Sequence, residues 1–157
     1  MKTPRPIPPA PAKKLGNFEL ADQDDQPRRY RFPKAKVTAL AVADQQGSRQ
    51  LAPWIERLRD RYGRRIDIDG VADVSMIPRF FHPIFRRAFR TKLAYSVMLD
   101  WEGSVVNELG YAKGLANIYV LDRSGCILKH VTGPIDEPAL NGLFKEIDLA
   151  LKSPPPQ

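Results

Sequence analysis

Gly114-Leu115-Ala116-Asn117-Ile118-Tyr119-Val120-Leu121-Asp122-Arg123-Ser124-Gly125 contains a strand and the turn that ends it. Residues 118–121 are apolar and rich in strand formers. Asp122-Arg123-Ser124-Gly125 supplies turn residues, and the extended pattern resumes over 126–131. This spacing predicts a β-hairpin near the end of the chain. Beyond it, Leu140, Leu143, Phe144, Ile147 and Leu151 recur at helical spacing after Pro138, so a C-terminal amphipathic helix follows.

Upstream of the hairpin, residues 37–43 (VTALAVA) are almost wholly apolar, as a strand covered on both faces should be. The polar stretch 44–48 reads as a loop. Leu51, Trp54, Ile55, Leu58 and Tyr62 then mark a helix that Gly63 ends. Residues 66–74 (IDIDGVADV) alternate as a second strand, with a break expected at Gly70. Residues 77–90 are amphipathic, and Pro83 should kink or divide them. A short extended run over 95–99 and a short helix over 105–109, closed by Gly110, lead back to the hairpin. At the other end, Phe18, Leu20, Tyr30 and Phe32 flank a turn at 22–25 and read as an N-terminal hairpin. The strand–helix–strand unit implies a parallel pair and the hairpins add antiparallel strands. The fold class is therefore α/β, a mixed β-sheet flanked by helices with an N-terminal β-hairpin.

A chain of 157 residues, 43% of them hydrophobic, suffices for one such domain. The expected boundaries are a disordered, basic, Pro-rich arm over 1–14, the domain over 15–152, and a Pro-rich tail over 153–157. No stretch approaches the roughly 20 apolar residues of a membrane span. No apolar segment follows Lys2 and Arg5, so the expected location is cytoplasmic, or periplasmic if the chain is a trimmed precursor. Residues 1–36 hold nine Lys/Arg against four Asp/Glu, a surplus of five within the formal +7. The basic charge thus belongs mostly to the arm, which argues against a nucleic-acid-binding domain.

Three stretches resemble the thioredoxin-like superfamily, and within it the peroxiredoxin and thiol–disulfide reductase (AhpC/TSA-like) branch. Residues 18–22 with Arg31-Phe32-Pro33 resemble the opening hairpin of those proteins, with Asp25 where glycine is usual. Residues 37–43 followed by Pro53-Trp54-Ile55 resemble the strand, active-site loop and first helix. Residues 114–125 resemble the family's G-V-P-T-x-F-L-I-D-x-x-G stretch and are the most specific match. Tyr95-Ser96-Val97-Met98-Leu99-Asp100 is similar to a further element of the family. The resemblance spans residues 15–152.

The same resemblance locates what is missing. With Pro53 on the family's helix proline, the two sulfur positions become Gln45 and Ser48, and the cis-proline facing them becomes Ala116. An amide cannot ionise, and an unactivated hydroxyl is a poor nucleophile near neutral pH. A cis bond before alanine costs about 2.5–4 kcal/mol, so Leu115–Ala116 should be trans. The expectation is a redox-inactive binding or scaffold module with no cofactor and no metal. Its degenerate site would be a groove near Gln45, Ser48, Trp54, Ala116 and Asn117.

Several residues admit two readings. Cys126, the single cysteine, is either an inert strand residue or the thiol of a one-cysteine peroxidase or thiol–disulfide oxidoreductase. Ser48 could join His82 or His130 and Asp44 in a hydrolytic triad, but it lacks a nucleophile elbow and reads as a helix cap. Asp67, Asp69 and Asp73 are either a carboxylate metal site or a solvated strand edge. The arginines at 57, 59, 61, 64 and 65 read as a solvated helix face, with phosphate binding as the alternative. The segment 79–90 either covers the sheet with its Phe face or forms an interaction surface of Phe81, Phe85, Arg86, Arg87, Phe89 and Arg90. Such a surface, with the arm, would make the protein a basic adaptor for acidic partners, a second copy, or an anionic membrane.

Overall fold

The computed structural model describes residues 13–92 and 96–154. Most of the expected arm, Tyr95 and the end of the expected tail lie outside that set. The strands are β1 (Phe18–Asp22), β2 (Pro27–Tyr30), β3 (Thr38–Ala43), β4 (Asp67–Asp73), β5 (Val97–Asp100), β6 (Asn117–Leu121) and β7 (Ile127–Thr132). They form one sheet in the order β2-β1-β5-β4-β3-β6-β7. β3 is parallel to β4 and β4 to β5, while the other neighbours are antiparallel. The helices are α1 (Gln45–Ser48), α2 (Leu51–Tyr62), α3 (His82–Lys92), α4 (Ser104–Leu109) and α5 (Glu137–Lys152).

Alternation along the strands divides the core into layers. On one face, Ala39, Ala41, Ala43, Ile118 and Val120 meet Trp54, Ile55 and Leu58 of α2 and Leu140, Leu143 and Ile147 of α5. On the other, Leu40, Val42, Val71, Met98 and Tyr119 meet Val105, Val106 and Leu109 of α4. Every residue of β3 is buried, the outcome its unbroken apolar run predicts. α4 is held at its start by Asp100, which is fully buried and accepts from the backbone N–H of Gly103, Val105 and Val106 at 2.9–3.0 Å. A carboxylate at a helix start satisfies amides that have no partner within the helix.

Three local expectations are corrected, and two others take a definite form. β4 runs unbroken through Gly70, which pairs with Ala41 on one side and Val97 on the other. It is an interior strand rather than an edge. The polar stretch after β3 is a helical turn, not a loop, and Asp44 is its N-cap. The 77–90 segment is divided into two pieces beside Pro83, the second of the two outcomes expected there. Pro83 lies in the first turn of α3, where no amide donor is needed, and a separate 3-10 turn (Arg79–Phe81) precedes it. Asp25, which stands where the resemblance expects glycine, has φ of +58°, the left-handed conformation that aspartate tolerates better than most residues.

Candidate functional site

Gln45 and Ser48, which the resemblance sets in the redox positions, lie just after β3 ends. β3 delivers the chain into α1, and β6, antiparallel beside it, begins at the same end because Val42 pairs with Asn117. This brings the 45–48 turn against residues 114–116. The closest approach is between main chains: a Cβ added to Gly47 would lie 2.2 Å from the Leu115 carbonyl oxygen. Only glycine permits that contact without displacement.

Hydrogen bonds join the two segments. Asp44 Oδ1 accepts from Gly47 N at 2.8 Å, and its Oδ2 accepts from Gly114 N at 2.8 Å. Ala116 N donates to Gln50 Oε1 at 2.9 Å, and Ala116 O accepts from Gly133 N at 2.9 Å. The Leu115–Ala116 bond is trans, as expected for an alanine in that place.

Of the five predicted groove residues, Trp54, Ala116 and Asn117 are fully buried, while Gln45 and Ser48 are on the surface. Trp54 packs between sheet and helix, and its indole N–H donates to Gly133 O at 2.9 Å. Asn117 Nδ2 donates to Ala112 O and Leu115 O, and its Oδ1 accepts from Ala112 N and His130 Nε2, all at 2.8–3.0 Å. These three residues build the floor and hold the 112–117 loop in shape. The polar atoms of Trp54 and Asn117 are committed inward, which leaves Gln45 and Ser48 as the surface that a ligand would meet.

The hydrolytic reading does not survive the geometry. Ser48 Oγ donates to Gln45 O at 2.6 Å, within its own turn, so it does not cap the next helix either. His130 is occupied by Asn117 and stacks on Tyr119 with 4.0 Å between ring centroids, and burial lowers its pKa. His82 stacks on Trp101 and contacts Ile77 O.

Cys126 is at the opposite end of the sheet. β6 runs away from the 45–48 turn to Leu121, which pairs with Thr38 at the start of β3, and Cys126 follows the next turn. Asp122 Oδ1 accepts from Cys126 N, and Ser124 Oγ lies 3.4 Å from its sulfur. Lys14 pairs with it across an isolated bridge.

The strand carboxylates are engaged inside the sheet. Lys34 Nζ lies 3.1 Å from Asp67 and 3.9 Å from Asp69, and the Tyr30 hydroxyl donates to Asp69. Asp73 accepts from Ser75 and from the Tyr111 hydroxyl. Burial would raise the Asp73 pKa, but those hydrogen bonds and the Lys113 charge leave it below the usual carboxylate range. Among the described residues no cluster could hold a metal ion. On α2, Arg57 pairs with Glu137 and Arg61 with Asp148, both bridging to α5.

The 77–90 segment divides between both of its readings. Phe89 and Ile77 pack against the cluster of Val74, Val97 and Leu99, while Phe85 is half-buried. Arg86 and Arg90 reach the N-terminal hairpin turn, 3.7 Å from Asp25 and 3.8 Å from Asp24, and Arg90 Nε donates to Gln23 O. Phe81 and Arg87 stay exposed, together with Met76, Phe80 and Ile84, which the sequence-based surface omits. Their signal was available. Residues 76, 80 and 84 form one i, i+4 stripe, beside a second at 77, 81, 85 and 89.

No protein-family model and no curated protein matches this sequence. Solved structures do. The thiol:disulfide interchange protein of Chlorobium tepidum TLS superposes with a TM-score of 0.63 at 17% identity, over 90% of this chain and 98% of that one. The exposed lipoprotein thioredoxin Etrx1 of Streptococcus pneumoniae strain TIGR4 gives 0.66 at 20% identity, over 83% and 99%. BsSco, a member of the Sco family of cytochrome c oxidase assembly proteins, gives 0.66 at 12% identity, over 94% and 99%. The chain has the thioredoxin-like fold. Among the described residues, no helix is long and apolar enough to cross a membrane.

Proposed function

We propose that this protein is a thioredoxin-fold module that works by binding or scaffolding, not by thiol exchange. One observation carries the reading. At the end of β3, Gln45 and Ser48 stand in the turn matched to the redox pair, and the turn is locked to the trans Leu115–Ala116 backbone through Gly47. Thiol exchange needs a thiolate beside an open edge that can receive a substrate disulfide. This turn offers an amide and a hydroxyl. Within the superfamily, the N-terminal hairpin on β5 and the 114–125 stretch favour the peroxiredoxin and thiol–disulfide reductase branch as the origin of the scaffold.

The one-cysteine alternative is disfavoured by position, since Cys126 follows the far end of β6. The test is turnover: insulin reduction with dithiothreitol, and peroxide consumption with a thiol donor, for the full chain and for Cys126→Ser. Neither protein should exceed the buffer rate. Activity in the full chain that Cys126→Ser abolishes would replace this reading with a one-cysteine oxidoreductase.

A further inference from the structure

We propose that residues 76–90 seat this protein on an anionic lipid surface, with Met76, Phe80 and Ile84 entering the headgroup boundary and Arg79 and Arg87 meeting lipid phosphates. This does not depend on the redox-silent reading, and the turnover assays above do not bear on it.

The helix is mounted firmly on one side and unpartnered on the other. Phe89 and Ile77 bury against Val74, Val97 and Leu99, and Arg86 and Arg90 tie it to the hairpin turn through Asp25, Asp24 and Gln23. The apolar side chains exposed along the segment, Met76 in the turn after β4, Phe80 in the 3-10 turn and Ile84 on α3, have no such role. Met76 is 89% exposed, Phe80 77% and Ile84 65%, spaced four residues apart. The Phe80 ring lies 4.1 Å from that of the partly exposed Phe81. Among the described residues the one other large apolar side chain left exposed is Leu149, on α5, so the apolar exposure is concentrated in this segment. Such a patch marks an interaction site.

Charge selects the occupant. Residues 74–99 contain five Lys/Arg and no Asp or Glu; with Arg86 and Arg90 held by Asp25 and Asp24, the exposed Arg79 and Arg87 are the charges that suit a uniformly negative surface. A second copy is disfavoured, because a two-fold contact would set the patch on itself and bring like-charged arginines together. Separately protruding apolar tips flanked by cations are the pattern of a helix lying in a bilayer interface. There the apolar side enters the acyl boundary and each basic residue gains from anionic headgroups.

The test is co-sedimentation of the full chain with vesicles of phosphatidylglycerol and phosphatidylcholine in equal parts, against vesicles of phosphatidylcholine alone. Capture is expected only by the anionic vesicles, falling as salt rises. Replacing Arg79 or Arg87 by Ser should weaken it about fivefold each, and Phe80→Ser about tenfold or more. These side chains are exposed, so the variants should keep the parent circular dichroism spectrum and melting temperature. The proposal is overturned if the parent is not captured or if neutral vesicles capture it equally. Capture unchanged in a Phe80→Ser/Ile84→Ser variant would overturn it too, since the basic arm would then be the binder. So would a lipid-free dimer that Phe80→Ser dissociates.

Discussion

The α carbon of Gly47 faces the Leu115 carbonyl so closely that the two main chains leave no room for a methyl group between them. Gly47→Ala should therefore destabilise the fold by about 1–3 kcal/mol, the usual cost of overpacking a well-packed site. The midpoint of urea unfolding checks this, with Ser48→Ala, at the neighbouring exposed position, close to the parent.

Restoring the proline matched at position 116 should harm the protein. Ala116 is fully buried and its N–H donates to Gln50 Oε1. Proline removes that donor and leaves the partly buried Gln50 oxygen without it, at a cost of about 1 kcal/mol or more. Ala116→Pro is expected to unfold at lower urea and to gain no insulin reductase activity. Equal or higher stability would show that the loop accepts a proline there.

Asn117→Ala should be the most damaging of these changes. It deletes partners of Ala112 N, Ala112 O, Leu115 O and His130 together, leaving partly buried backbone groups unpaired. A loss of about 3 kcal/mol is expected. The 112–117 amides should lose hydrogen-exchange protection before the rest of the sheet does.

Asp22 gives a pH dependence of known sign. It is buried, which by itself raises its pKa. Hydrogen bonds from Gln26 N, Arg28 Nε and Asp24 N outweigh burial and hold it below the usual carboxylate range. The native state thus favours the carboxylate. The stability this supplies is fully present above about pH 4 and disappears as pH falls through the lowered native value. Asp22→Asn should cost about 1–2 kcal/mol near neutrality. The gap between the two unfolding midpoints should close on acidification. A constant gap would exclude the linkage.

The sheet could be read from the chain because its strands carry their own punctuation. The run 37–43 is apolar apart from Thr38, and Asp122 to Gly125 spells a turn whose Asp122 side chain accepts from Ser124 N and Cys126 N. The errors arose where partners distant in sequence decide the outcome. Asp67 and Asp69 look like a wet edge until Lys34 and Tyr30 are seen against them. Asp44 reads as a loop residue, although an aspartate immediately after a strand is a standard helix cap. Two apolar residues per turn in the 77–90 segment define two adjacent stripes, and periodicity alone does not say which one meets the sheet. The five residues expected to line a groove lie near one end of the sheet, and Trp54, Ala116 and Asn117 among them are buried. Their inward commitment depends on Gly133 and Ala112, which no local pattern connects to them.

A sole thiol far from the 45–48 turn has a practical corollary. Cys126 is partly accessible and native to the chain, so a dye, spin label or solid support can be attached there without engineering. A molecule immobilised in that way would be oriented, holding the Gln45 turn and the Phe80 tip away from the surface. Every copy would then present the same end to whatever is passed over it.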